Sequence, residues 1–436
     1  MALERKPSTT ARAHDRFVMK KKTFDMQFAH MYMSRLQALE PQVRAAVLAD
    51  PDVAAAGVSI LPKIIDLRVG DVCIITGTIF KVLKNKPNLL DEFVADEILA
   101  IEETEDAFSS ETDELFLEDE SGRVALKGKI DIAALVTGVI LGVQGEMGPD
   151  GEGFAVTRIF LPAAAPQPTP LPARSDDAYV ALLSGLSFGA SGVQQHPVAT
   201  ALAMDYLAGR LGADDEKAFV SSIVHTIIAG NSLAKPARDV LLEPVKKTSA
   251  SELEVKPLQQ LDLVLSSLTS TMPVDILPGA WDPSNVMLPQ QPLAACLLPH
   301  AMRFATCSLV PNPYASSIDG VTFVGTSGQP VDSVLQCSLG QTPIEALEHL
   351  LLWRHLAPTA PDILDCYPSP GDDVFVLDSC PHVLFAGNQP SFATKLVTGP
   401  QQQRTRLVCV PSFASTGTFV LLNLKDLSVM PVTLTL

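Results

Sequence analysis

The sequence predicts a β domain followed by an α/β domain: a small closed barrel, then a larger two-sheet sandwich. Three observations carry this expectation. Residues 66–161 hold short strands and tight glycine turns with no long helix. Residues 163–173 (AAAPQPTPLPA) form a proline/alanine stretch that reads as a stiff spacer. Beyond it, three apolar strands each end in a loop and alternate with helical stretches, the pattern of a layered α/β domain.

The expected elements follow in order. Residues 1–23 read as a flexible basic tail, with seven Lys/Arg against two acids in the first 22 positions. Residues 24–48 have helical spacing of apolar side chains, and 24–162 are taken as the helix-plus-barrel domain. The stretch 72–83 (VCIITGTIFKVL) is β-branched, and 114–127 reads as a hairpin turning at 120–122. Strands are expected at 135–145 and 154–161 around a Gly/Asp-rich turn at 147–153. Together these suggest an OB-fold. An acidic insert, 91–113, interrupts the barrel, and the charge density of 91–110 predicts a mobile excursion there. The domain 174–436 opens with strands at 179–183, 223–229 and 274–277 and helices at 198–211 and 251–270. From 374 onward it is strand-rich (FVLD, HVLFAGN, RLVCVPSF, GTFVLLNL, VMPVTLTL).

Composition narrows the function. At 436 residues, 47% hydrophobic and only 19% charged, with mean hydropathy +0.23, much of the chain must be buried, part of it against other chains. No apolar run is long enough to span a membrane, and the charged N-terminus lacks the apolar core of a secretory leader. Seven scattered cysteines without a CxxC pair fit reduced intracellular thiols. The net charge is −17, and residues 91–120 hold fourteen Asp/Glu and no Lys/Arg. That balance opposes strong nucleic-acid binding, which needs basic contacts to phosphate. A single-stranded nucleic-acid-binding barrel remains the alternative reading. Against it stand the acidic insert and the few barrel aromatics (Phe80, Phe93, Phe108, Phe116, Phe154, Phe160).

Several motifs invite a chemical reading. Gly185-Leu-Ser187-Phe-Gly189 matches G-x-S-x-G after a strand, with Asp365 and His382 available for a triad. An α/β-hydrolase, however, needs sheet strands and an oxyanion loop upstream, where this chain has only the barrel and spacer. Glu345 and His349 share a helical face, but His355 falls on another, so no third ligand joins them. Arg12, Arg16 and Lys20–Lys22 read as a solvated terminus rather than a phosphate site.

The loop ends after the strands are more informative. A metallophosphoesterase places D-x-H, G-D, G-N-H-D/E and G-H-x-H at successive strand ends to hold two metal ions. Here Ser184, Gly185 and Leu186 stand for D-x-H, and Gly230-Asn231 stands for G-D. Gly279-Ala-Trp281-Asp282 replaces G-N-H-D/E, and Gly387-Asn388-Gln-Pro390 replaces G-H-x-H. Leu186, Trp281 and Pro390 cannot ligate a hard cation, and Asn231 with Asp282 cannot hold two. The expectation is therefore a calcineurin-like sandwich lacking its metal ligands, with no catalytic residue, no metal and no cofactor.

A barrel, a spacer and a ligand-stripped phosphoesterase sandwich resemble the B-subunit family of eukaryotic replicative DNA polymerases. The resemblance runs from about residue 24 to 436. It is densest in Leu288-Pro-Gln-Gln-Pro-Leu293, Asn312-Pro-Tyr314, Ile318-Asp-Gly-Val321 and Gly325-Thr-Ser-Gly-Gln329. It continues in Ala357-Pro-Thr-Ala-Pro-Asp362, Cys366-Tyr-Pro368, Pro381-His-Val383 and Pro390-Ser-Phe392. The resemblance implies a nuclear, non-catalytic scaffold. Such a protein would bridge the cysteine-rich C-terminal module of a catalytic polymerase subunit and a further accessory subunit, and be shared with a translesion polymerase. The basic tail and the acidic insert depart from the family pattern, and the sequence assigns no partner-binding residue.

Overall fold

A computed structural model describes residues 5–20, 27–86, 107–149, 151–190, 197–235, 250–368 and 371–434. The chain divides into two compact units of non-contiguous segments. One comprises residues 23–166 and 330–380; the other comprises 1–22, 167–329 and 381–436. The division at 166/167 falls within the stretch read as a spacer. Two expected boundaries change: the N-terminal tail belongs to the sandwich unit, and 330–380 belongs to the barrel unit.

The chain opens on strand β1 (Thr10–Arg12), in the sandwich unit. The barrel unit starts with helices α1 (Ala29–Leu48) and α2 (Pro51–Ala56). Strands β2 (Ser59–Ile60), β3 (Val72–Val82), β4 (Glu114–Glu118), β5 (Arg123–Gly128), β6 (Ile140–Met147) and β7 (Phe154–Phe160) follow. Their order is β2-β3-β4-β5-β7-β6, and β6 also pairs with β3, so β3 to β7 close into a ring. The β4–β5 hairpin turns where the Asp119 carboxylate accepts the N–H groups of Ser121 and Gly122 at 2.6 and 2.9 Å, an Asx turn. In α1, Leu39, Val43 and Val47 recur every four residues and pack on Ile74, Ile140 and Phe160. Asp50 caps α2 by accepting from the N–H groups of Asp52 and Val53, and Gly57 in the left-handed region ends it.

Residues 87–106, most of the acidic insert, lie outside the described residues. Its last part is not an excursion. Ser109 and Asp113 are buried, and the Lys81 ammonium, also buried, donates to Ser109 Oγ at 2.9 Å with Asp113 at 3.7 Å. Charge density alone hides this because one buried lysine inside β3 supplies the counter-charge.

The sandwich unit holds two six-stranded sheets. The first contains β8 (Tyr179–Leu183), β9 (Ile223–Ala229), β10 (Val274–Leu277) and β11 (Cys307–Leu309), ordered β11-β10-β9-β8 and continuing to β17 (Thr418–Asn423) and β18 (Val429–Thr433). The second runs β1-β12-β13-β14-β16-β15, with β12 (Tyr314–Ile318), β13 (Val321–Thr326), β14 (Val383–Gln389), β15 (Ala393–Thr398) and β16 (Arg404–Pro411). Alternation along β8 explains the layers. Val180 and Leu182 face the second sheet with Phe323, Phe385 and Val408, whereas Ala181 and Leu183 face the helices. Those helices are α3 (Pro197–Leu207), α4 (Asp214–Ser221) and α5 (Ala250–Thr269), with Leu207, Val220, Leu261 and Leu265 in their core.

Within the N-terminal segment, the described residues 5–20 are held against the sandwich unit; residues 1–4 and 21–23 lie outside the described residues. β1 pairs antiparallel with β12, and Phe17 is fully buried. The Arg5 guanidinium donates to the carbonyls of Val220 (2.8 Å), Ile223 (2.7 Å), Thr271 (3.1 Å) and Leu207, satisfying backbone groups at or just past the ends of three helices. Burial lowers its pKa to about 10, which leaves it charged at neutral pH. In sequence the same positive charge reads only as a sign of solvation.

Within the barrel unit, residues 330–380 carry α6 (Gln329–Gln336) and α7 (Pro343–Leu352). The expected strand FVLD is a turn whose Phe375 and Val376 are buried, with Val376 in a single bridge to His355. Lys81 donates to the Cys337 carbonyl at 2.8 Å, and Arg35 pairs with Asp373.

Candidate functional site

Four strand-end loops of the sandwich unit converge, joined by hydrogen bonds. Ser184, at the end of β8, is fully buried; its hydroxyl donates to the Pro411 carbonyl at 3.0 Å and accepts from Asn388 N–H at 2.8 Å. The Asn388 amide donates to the carbonyls of Ala229 (3.1 Å) and Ser327 (2.7 Å). Gly185 N–H reaches the Gly230 carbonyl at 2.9 Å, and Ser187 N–H reaches that of Asn231 at 3.0 Å. Asn231 Oδ1 accepts from Trp281 N–H at 3.3 Å.

The glycines permit this approach. A Cβ on Gly387 would lie 2.4 Å from the Ala229 carbonyl oxygen, and one on Gly279 would lie 2.2 Å from Asn231 N. Gly230, at φ +79°, has Ser327 where its own side chain would be. Leu186 is buried in the helix-facing core, and Pro390 is exposed beyond the network.

Asp282, the sole acid retained from the expected ligand pattern, is occupied by backbone. Its carboxylate accepts from the N–H groups of Gly279 (2.8 Å), Leu233 (2.9 Å) and Ser232 (3.2 Å). Burial pushes its pKa up, opposed by these amides. The carboxylate ties the β9 loop to the β10 loop. Among the described residues, no group of three or more His, Cys, Asp or Glu is arranged to hold a metal ion.

A second tier of this network escapes the sequence reading. Asn312 donates to Gln290 Oε1 (2.8 Å), Ser327 Oγ (2.8 Å) and Gln329 Oε1 (3.0 Å), and Gln290 donates to the Gly279 carbonyl at 3.1 Å. Asn312, Gln290, Ser327 and Gln329 all lie in the strings that carry the family resemblance. Those strings are parts of one buried amide and hydroxyl network, and the presence of Gln and Asn in otherwise apolar, proline-bounded strings is the available signal.

The other candidates take structural roles. His382 Nδ1 accepts from the Thr322 N–H at 3.0 Å, and burial lowers its pKa. Asp365 belongs to the barrel unit, whereas Ser187 and His382 belong to the sandwich unit. Glu345 completes a capping box with Thr342 at the start of α7. His349 stacks on Trp353 with ring centroids 5.0 Å apart, and His355 Nε2 lies 2.9 Å from the Asp373 carboxylate. In the barrel, Arg123 covers the rings of Phe80 and Phe116 at 4.5 and 5.3 Å, while Phe154 and Phe160 are buried.

Comparison with known proteins gives the class. The family profile for the B subunit of DNA polymerases alpha and epsilon matches residues 180–394, and that for the OB-fold domain of the DNA polymerase delta subunit matches residues 27–159. The chain belongs to the B-subunit family of DNA polymerases, and within it to the small subunits of DNA polymerase delta. The DNA polymerase delta small subunit of Oryza sativa is 38% identical, covering 98% of this chain and 97% of that one. DNA polymerase delta subunit 2 of Drosophila melanogaster is 38% identical over 94% of each chain. The Saccharomyces cerevisiae small subunit is 30% identical, covering 94% of this chain and 89% of that one.

Proposed function

We propose that the chain is a non-catalytic scaffold subunit of DNA polymerase delta, acting in the nucleus during DNA replication and repair. It bridges the cysteine-rich C-terminal module of the catalytic subunit and a further accessory subunit, and is shared with polymerase zeta. Its sandwich is a calcineurin-like phosphoesterase fold that has lost its metal ligands, and it needs no cofactor. DNA-directed synthesis belongs to the assembled complex, and direct DNA binding by this chain is weak or absent.

One observation carries this reading. Ser184, Asn231, Asp282 and Asn388 lie in the converging loops, and each is hydrogen-bonded to backbone groups of neighbouring loops. Two amides, one hydroxyl and a single carboxylate already filled by three backbone N–H groups supply neither a two-ion clamp nor a free general base. The nucleic-acid-binding alternative is disfavoured because Arg123 occupies the faces of Phe80 and Phe116, which a base would need for stacking. The test is affinity purification of the tagged chain, with identification of what co-elutes. Recovery of the catalytic and accessory polymerase subunits supports the scaffold; manganese-dependent phosphodiester cleavage abolished by Asp282→Ala refutes it.

A further inference from the structure

We propose that a groove on the barrel unit, between α1 and the wall formed by β3 and β4, docks a segment from another polymerase subunit, one with an apolar side chain flanked by lysine or arginine. The proposal rests on the scaffold reading. The groove measures about 550 Å³, and all its lining residues belong to the barrel unit. Its floor is apolar: Met33, half-exposed at 51%, lies with Leu36 on α1, facing Phe80 of β3. An unbranched thioether on such a surface adapts to an incoming side chain.

Two independent features specify the occupant. First, Thr76 lines the groove on the same face of β3 as Thr78 and Phe80, and it is only 8% exposed. Its hydroxyl has no hydrogen-bond partner among the described residues. A buried hydroxyl without a partner is costly, and it can both donate to and accept from an incoming peptide group. Second, five carboxylates line the groove and no Lys or Arg does. Glu40, Glu118 and Glu120 are paired from outside by Arg44, Arg123 and Lys63. The Asp119 carboxylate is held by the N–H groups of its own turn and of Ile64, and that of Asp362 accepts from the Tyr32 hydroxyl. Neither offsets the negative charge with a cation, although Lys86 donates to the Asp362 carbonyl at 3.0 Å. The residual charge is negative, and an exposed pair such as Lys63–Glu120 is weak enough for an incoming cation to compete. Phosphate is repelled from such a groove, whereas a basic, apolar-centred peptide segment is complementary to it.

The test is site-specific crosslinking in the purified holoenzyme. A photoreactive p-benzoylphenylalanine replaces Met33, and the crosslinked peptide is identified by mass spectrometry. The expected product joins position 33 to a Lys/Arg-bearing apolar segment of another subunit. Glu40→Lys with Glu120→Lys, on a partly exposed and an exposed side chain, should cut its yield about fivefold or more through like-charge repulsion, with thermal melting unchanged. Thr76→Val, which removes only the hydroxyl, should also lower it. If the protein co-purifies with the polymerase but position 33 crosslinks to nothing, to an acidic segment or to the DNA strand, the groove proposal is overturned. An unchanged yield in the charge-reversed variant overturns it as well. If the protein does not co-purify at all, it is the scaffold reading that fails.

Discussion

Arg35 and Asp373, 338 positions apart in the sequence, form a fully buried ion pair at 2.8 Å inside the barrel unit. The remaining Arg35 donors go to the carbonyls of Pro358 (2.8 Å), Ala360 (2.8 Å) and Gly138 (3.3 Å). Asp373 also receives His355 and the N–H of Phe375. One guanidinium thus joins α1, the barrel and the 330–380 segment.

Removing one partner strands the other charge away from water. Arg35→Met or Asp373→Asn should each destabilise the protein by about 3–5 kcal/mol in denaturant melts. The double variant should lose less than the two single losses added together. Strict additivity would mean that the two residues act independently.

The pair also sets an acid limit. Burial alone would raise the Asp373 pKa, but His355 and Arg35 outweigh it and hold the carboxyl well below the usual range. A depressed folded-state pKa contributes stability above the unfolded value, about 3.9, and that contribution is lost as pH falls further, toward the folded value. The stability gap between the wild type and Asp373→Asn should therefore be constant from pH 7 to about 5 and shrink below about 4. Melts across that range check it; a gap that widened in acid would contradict the sign.

At the converging loops, Asn388 is the sensitive position. Asn388→Asp replaces an amide donor with an oxygen facing the carbonyls of Ala229 and Ser327. The cost should be about 1–3 kcal/mol, with no phosphodiesterase activity gained in manganese. Ser187→Ala, by contrast, removes a hydroxyl from a residue whose observed hydrogen bonds, to Asn231 and from Ala190, are made by its backbone, and should leave stability, subunit co-purification and processive synthesis on primed template unchanged. Loss of synthesis with all subunits still co-eluting would restore a chemical role to Ser187.

Arg5→Ala should loosen three helix ends at once. Losing charge-assisted bonds to four carbonyls should cost about 1.5–3 kcal/mol or more and speed cleavage of the N-terminal segment by trypsin. Arg5→Lys should restore little, because one ammonium cannot span the same carbonyls.

Periodicity makes the local elements legible. The expected strands 179–183, 223–229 and 274–277 coincide with β8, β9 and β10 because each is an apolar run bounded by turn residues. Gly185, Gly230, Gly279 and Gly387 read in sequence as turn-shaping residues; the close approach of neighbouring loops that they admit appears only in the structure. What sequence pattern does not show is long-range pairing of polar groups. Arg5 reads as solvent-facing until its helix carbonyls are known. Lys81 sits in a β-branched strand with nothing nearby in sequence to announce Asp113. Asn312 reveals its role only once Gln290 and Gln329 are placed around it. Residues 330–380 fall to the wrong unit for the same reason: their apolar residues fit either core, and Arg35 decides between them.

The interleaved connectivity of the two units bears on how the chain is made. A ribosome releases the whole of 27–166 before Asp373 exists, so Arg35 emerges with no counter-charge to bury against. At roughly 5–20 residues per second, the 338 intervening residues impose a wait on the order of 17–70 s. During that interval the barrel segment lacks α6, α7 and the carboxylate that fixes its first helix. The N-terminal half cannot mature by itself, and nascent chains stalled anywhere before position 373 should present an unfinished barrel to chaperones and proteases.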